Sequence, residues 1–469
     1  MGVGLINSWG VIWVSTILIY NDAQTDFMRI ERTTGVFGTD TGNRVNGSRS
    51  PKETDIQKKI LEDVTNGSSG PRHRHGEFAW QPYPLAPFIE RLDWVLDIFC
   101  NFRGMGWNWR ISALPPPPKY IQTQLHRNSG TLVPRHSFKT HSSQVKQYTT
   151  RKELLQNNAW TLLKGYLALD TLKTCMMHDP YFWGYVHDPL PPYYPSLLTH
   201  SPVLTHMYRL LLSMFGIKYA LETIFCLAPL FFSGLLSPSL LGARAEPWMY
   251  PETWASYSVV LDHGLAGWWG NWWHQTFRFA FQEPTRKLRE SFGIPRHSPL
   301  AEALQLGVAF FLSGVIHASG SYTSAGSAST QPLRGSMAFF LLQAVAIFIE
   351  AATSRLARGL GIDRRVPGWA KRLFALVYVH VWFYHTAHLL CNDFARAGVW
   401  LFEPVPFSPL RGLGLGPDAR DGWWCWSEQL PGWHQGDRWW RSGLALTREI
   451  VQQKIDYIEA HRIISLVEA

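Results

Sequence analysis

The chain has 469 residues, 46% of them hydrophobic, with 23 tryptophans and a formal charge of +9. Its five cysteines, at Cys100, Cys175, Cys226, Cys391 and Cys425, stand too far apart for a C-x-x-C zinc site or a disulfide framework. A basic balance of this size suits nucleic acid or an anionic surface, but the cations cluster beside dense apolar blocks. That pattern predicts a membrane protein whose surroundings include the lipid bilayer, with no nucleic-acid partner.

A bilayer core of about 30 Å needs roughly 20 mostly apolar residues in a helix. In chain order, the first candidate span is Gly4–Tyr20, which starts unusually near Met1 and lacks the basic region and cleavage site of a signal peptide. The polar stretch 34–76 reads as a disordered linker, with glycosylation sequons at Asn46 and Asn66. Pro115–Pro118 forms a rigid break before the basic segment Lys119–Lys164. A less apolar candidate, Gly165–Trp183, precedes Tyr208–Leu236, whose Arg209, Lys218 and Glu222 require either an interfacial position or protein packing. Three stronger spans follow at Ala301–Ser319, Ser336–Ser354 and Leu373–Cys391. Asp393–Trp440 mixes Gly, Pro and Trp without helical period and is predicted to lack regular structure. The division by sequence is therefore 1–33, a first span and its continuation; 34–76, the linker; 77–392, an all-α polytopic transmembrane helical bundle; and 393–469, an irregular segment ending in a helix.

Charge asymmetry orients the spans. Trp272–Pro299 carries Arg278, Arg286, Lys287, Arg289 and Arg296, and the loop from Arg355 to Arg372 is also strongly basic, whereas His317–Gly335 has only Arg334. The positive-inside tendency places both basic loops in the cytosol, with Ala301–Ser319 and Ser336–Ser354 as a hairpin between them.

Several polar residues inside these blocks are candidates for chemistry. His317 ends the run LQLGVAFFLSGVIH; a histidine at membrane depth is costly and tends to face a cavity or a substrate path. Its unperturbed pKa, about 6.5, suits a general base. The small residues Gly314, Ala318, Ser319 and Gly320 leave room for a ligand, and serve equally for close helix packing. The second candidate is His274 in WWGNWWHQTFRF, walled by Trp272 and Trp273, with Arg278 one turn on if the segment is helical. An interfacial tryptophan belt explains the rings but not the histidine. Arg278–Arg296 offers cations to the phosphates of a cofactor such as coenzyme A, or serves topology alone. His380, His385 and His388 share one apolar segment, but only Asp393 supplies a nearby carboxylate and no HH pair occurs, so no metal is expected. No G-x-S-x-G, P-loop or dinucleotide fingerprint appears. What remains is direct transfer between two substrates, assisted by one base.

Five stretches in this order carry a resemblance: DFMRIERT at Asp26–Thr33, NFRGMGWNW at Asn101–Trp109, WWGNWWHQTFR at Trp268–Arg278, FFLSGVIHASG at Phe310–Gly320 and FFLLQAVAIFIE at Phe339–Glu350. Together they resemble the membrane-bound O-acyltransferase superfamily, in its fungal wax-synthase-like branch. The resemblance implies that His317 is the intramembrane catalytic histidine and His274 a second polar catalytic position. Trp269, Asn271, Trp273 and Arg278 would meet the acyl donor, acetyl-CoA as a co-substrate with no permanently bound cofactor. The acceptor would be a hydroxyl of a hydrophobic terpenoid, meroterpenoid or polyketide, in the endoplasmic reticulum membrane. A long-chain wax or sterol acyltransferase and a shortened, inactive membrane protein are the alternatives. One departure concerns the tryptophan motif, where the family usually has an arginine pair and this chain has Asn271 and Trp272. The end after Asp393 also departs from the family's usual helical close.

Overall fold

A computed structural model describes residues 2–33, 76–85, 87–128, 145–236, 238–324, 329–417 and 422–426, together with the short strands 432–434 and 443–445. The linker and its two sequons fall outside the described residues, as does the expected C-terminal helix beyond residue 445. In chain order the main elements are α1 (Gly2–Leu18), β1 (Arg29–Arg32), β2 (Phe78–Gln81), α2 (Phe88–Cys100), α3 (Lys119–Asn128), α4 (Arg151–Met177) and α5 (Pro202–Pro229). They continue as α6 (Ser258–Gly267), α7 (Arg278–Ser291), α8 (Pro299–Tyr322), α9 (Ala338–Gly359), α10 (Gly368–Arg396), β3 (Gly432–His434) and β4 (Gly443–Ala445). The protein is an all-α membrane protein. Among the described residues four helical stretches are long and apolar enough to cross a bilayer: Pro202–Leu235, Pro299–Tyr322, Leu333–Gly359 and Gly368–Arg396. They coincide with four of the expected spans.

The first expected span is the apolar helix α1, 17 residues and about 26 Å long at 1.5 Å per residue, shorter than the four long stretches. One expected span is corrected. The Gly165–Trp183 candidate is the second half of the 27-residue α4 plus a 3₁₀ turn at Pro180–Trp183. Its charged residues are not displayed to lipid; they hold another part of the chain, as described next.

The contacts group the chain into two units. The first comprises 1–11, 161–224 and 306–469. Within it, Lys173 donates to the Trp400 carbonyl at 2.5 Å and lies 3.8 Å from Glu403, which Arg411 also engages at 2.7 Å. Asp170 accepts from Ser408 and, at 3.1 Å, from the Leu410 amide. These buried charges give 399–415 a 3₁₀ turn at Val399–Leu401 and a π-helical turn at Arg411–Leu415. With α10 running on to Arg396 and β3 pairing antiparallel to β4, the expectation that Asp393–Trp440 lacks regular structure is overturned. Periodicity could not reveal it, because the ordering partners are charged side chains more than 200 residues upstream. Arg209 is packed against protein: it forms a two-pronged pair with the fully buried Asp179 at 2.7 and 2.8 Å. Lys218 and Glu222 pair with each other one turn apart, at 2.5 Å.

The second unit comprises 12–160 and 225–305. Strand β1 pairs antiparallel with β2 on one side; on the other, the Ile30 amide donates to the Gly106 carbonyl at 2.7 Å. Asn108 locks this edge, its Oδ1 accepting from the Met28 amide and its Nδ2 donating to the Asp26 carbonyl. The stretches DFMRIERT and NFRGMGWNW are therefore one structural unit, with Gly104 and Gly106 at φ +71° and +78°, where a side chain would be strained. Buried Arg29 donates to Asp93 at 2.6 Å, Asp97 at 3.1 Å and Gln81 at 2.7 Å. This ties the strand to α2.

Candidate active site

The tryptophan run starts at a reversal. Gly264 sits inside α6 at φ 59°, ψ −138°, and breaks it. Three residues on, a Cβ at Gly267 would collide with the Val259 carbonyl and lie 2.9 Å from the His263 Cβ. The chain can therefore fold back closely only with glycine there. We predict that Gly267→Ala costs about 1–3 kcal/mol, as overpacking does, and a thermal unfolding scan of the purified protein would show it as a lowered midpoint.

Trp268–Trp272 then form a π-helical turn, and Trp273 leaves it in extended conformation. His274 is thus outside any helix, which corrects the helical spacing expected between it and Arg278. The ring of His274 lies among Trp273 (5.4 Å between centroids), Phe277 (5.5 Å), Phe225 (6.0 Å) and Trp254 (6.1 Å, at 90°). Trp254 also packs edge-on against Trp273 at 4.9 Å. The loop that carries Trp254 is held by Arg103 of the NFRGMGWNW stretch, which donates to the Pro251 and Glu252 carbonyls at 3.2 Å each. Burial lowers the Arg103 guanidinium to about 10, so it keeps its charge at neutral pH and remains a donor to both carbonyls.

Below the rings a polar clasp closes the run. Gln275 Nε2 donates to the Trp269 and Trp273 carbonyls at 3.1 and 2.5 Å, and its Oε1 accepts from Arg278 at 3.0 Å. Arg278 also donates to the Gly270 carbonyl at 2.7 Å, and burial pulls its pKa down. Its guanidinium therefore turns back into the run. Asn271 is exposed, while Trp269 and Trp273 are half-buried. The expected basic loop after Arg278 is the 14-residue helix α7. There Arg286 is engaged with Glu283, Glu290, Asn21 and the Tyr20 carbonyl, whereas Lys287 and Arg296 are exposed.

His317 belongs to the other unit, on α8. Its Nδ1 lies 2.8 Å from the Ser313 carbonyl one turn earlier. A carbonyl only accepts, so Nδ1 carries the proton and Nε2 holds the free lone pair. The imidazole is 4.4 Å from the Phe340 ring and stacks at 6.4 Å, 15° from parallel, on Phe394. Two glycines permit this packing: a Cβ at Gly314 would press on Met337, and one at Gly335 would sit 2.8 Å from the Asp393 Cβ. Buried Asp393 accepts from Ser336 at 2.6 Å and from the Gln331 amide at 2.8 Å, fixing the start of the α9 span against α10. The other histidines take separate places. His380 faces the Leu376 carbonyl at 2.7 Å, and His388 lies 5.8 Å from His206.

The model of the membrane-bound O-acyl transferase family matches residues 251–342, the stretch that holds Trp254, the tryptophan run, His274, Arg278, His317 and Phe340. That stretch of the chain is similar to the membrane-bound O-acyltransferase family. The chain is also similar to fungal proteins. An O-mevalon transferase of Penicillium terrestre is 27% identical over 63% of this chain and 60% of its own length. An O-mevalon transferase of Aspergillus niger is 25% identical over 61% and 57%, and an acetyltransferase of Aspergillus fumigatus 28% identical over 71% of each. The chain thus spans less than two thirds of the length of the first two relatives. No solved structure gives a significant match.

Sequence reasoning missed Gln275, Trp254, Phe225 and Phe394. Trp254 had a signal, since it lies in the Trp- and Pro-rich approach to the motif. Phe225 and Phe394 had none, because each is one aromatic residue in an apolar helix until folding sets it against a histidine.

Proposed function

We propose that the protein is a membrane-bound O-acyltransferase that moves an acetyl group from acetyl-CoA to a hydroxyl of a hydrophobic secondary metabolite, a terpenoid, meroterpenoid or polyketide, in the endoplasmic reticulum membrane. The observation that carries the reading is the His317 tautomer. An imidazole in an apolar span, with Nδ1–H spent on a backbone carbonyl, presents Nε2 as a base. Nε2 takes the proton of the acceptor hydroxyl as its oxygen attacks the thioester carbonyl. The new C–O bond forms, the C–S bond breaks, and the proton passes to the departing CoA sulfur. His274 is proposed, on the resemblance, as a second polar position needed for transfer, and exposed Lys287 and Arg296 as the cations that meet CoA phosphates.

The relatives named as O-mevalon transferases favour a second reading, in which the acyl group is not acetyl. Microsomes containing the protein, given a pool of terpenoid and polyketide alcohols, separate the two. Labelled ester from acetyl-CoA supports the first reading. Ester only from longer or hydroxylated acyl-CoA donors supports the second, and ester from none removes both. In the same assay His274→Phe keeps the aromatic packing but loses the ring's hydrogen-bonding capacity; we expect kcat/KM to fall by about 10²–10³-fold, the size of loss when a catalytic hydrogen-bond donor is removed. An unchanged kcat/KM would assign His274 to packing alone.

A further inference from the structure

Helix α2 is amphipathic in the inverted sense. Its 13 residues follow Pro87 and end at Asn101 in extended conformation. The side buried in its own unit carries Trp94 and Ile98, and Trp94 packs edge-on against Trp107 of the NFRGMGWNW turn at 4.9 Å. Its two aspartates lie inward too: Asp93 pairs with Arg29 and Arg244, and Asp97 with Arg29. The outward side is made of Phe88, Ile89, Leu92, Val95, Leu96 and Phe99, all exposed, with Phe88 at 67% and Leu96 at 53%. At 3.6 residues per turn these six fall on one continuous arc of about a third of the helix circumference, and no charged residue interrupts it.

We propose that α2 is an interfacial helix, lying in the plane of the membrane with this arc sunk into the acyl-chain boundary of the bilayer. Its length, about 20 Å, is too short to cross the core. The occupant follows from charge and polarity. The arc itself carries no polar side chain, and both aspartates are neutralised from inside the unit. Arg91 stands at the arc's flank with its guanidinium 5.9 Å from the Phe88 ring, the position from which a cation reaches lipid headgroups while its stem stays in the apolar layer. The inference does not depend on the transfer reaction.

Spin-label accessibility tests it. In a background carrying Cys100→Ser, Cys175→Ser and Cys425→Ser, with buried Cys226 and Cys391 retained, single cysteines replace Leu92, Leu96 or Phe99. Each is labelled with a nitroxide in the protein reconstituted in phosphatidylcholine nanodiscs. We expect collisions with oxygen to exceed those with a water-soluble nickel chelate at all three positions, with the excess varying at helical period. A chelate-dominated ratio would mean that the arc faces water, and low collision rates with both would mean that protein covers it; either result overturns the proposal. Native Cys100, exposed at the edge of the same arc, gives the same reading without altering the apolar positions if those variants do not fold.

Discussion

His317→Ala is expected to abolish acyl transfer, lowering kcat by about 10²–10⁴-fold, the usual contribution of a general base, with little change in protein yield. The base hypothesis requires more than the presence of an imidazole. Nδ1 is engaged with the Ser313 carbonyl, so the hypothesis assigns the proton transfer to Nε2, and on it a side chain with no basic nitrogen cannot substitute. His317→Gln is accordingly expected to be as inactive as His317→Ala, although its amide can still form hydrogen bonds. The measurement is ester formation in microsomes under saturating donor, normalised to the amount of protein. Near-wild-type turnover in His317→Ala would move the base elsewhere. Activity in His317→Gln alone would show that the position acts by hydrogen bonding without proton transfer.

The second large effect is structural. Arg29→Ala should destabilise the protein by roughly 3–5 kcal/mol, because it leaves buried carboxylate charge without its cation. Arg29 is 3% exposed and is the hub for Asp93, Asp97 and Gln81. Asp93 retains Arg244 in the variant, but Asp97 loses its ion-pair partner among the described residues. A loss of that size is a large share of the roughly 5–15 kcal/mol typical of a folded protein. Arg29→Lys should recover only part of it, since one ammonium cannot reproduce the guanidinium fork that reaches three side chains. Thermal inactivation at a fixed scan rate in detergent reads both variants. Equal midpoints for wild type and Arg29→Ala would show that the carboxylates are solvated or repaired locally.

Arg29 also shows where a motif can mislead. DFMRIERT and NFRGMGWNW are among the stretches that carry the resemblance, although the family match at 251–342 does not include them, and charged residues in them invite a catalytic role. Their side chains bind each other, α2 and the Pro251–Glu252 carbonyls. Arg103 acts at a distance, by holding the loop that sets Trp254 against His274.

By itself the sequence determined the membrane class, the four long spans and the order of the motifs, and it singled out His317 as a candidate. These depend on local quantities: the length of an apolar run, its helical period and the cost of placing a histidine inside it. The tertiary structure decided what depends on residues distant in the chain. It converted Gly165–Trp183 from a candidate span into a charged helix, because Asp170 and Lys173 are buried against residues 400–410. It built ordered turns into a Gly- and Pro-rich tail for the same reason. The proton-bearing nitrogen of His317, by contrast, follows from secondary structure, since the carbonyl that distinguishes the two tautomers lies one turn earlier on the same helix. Hydropathy reads the solvent each residue prefers, whereas a buried charge is acceptable only beside its partner, and that partner is assigned by the fold.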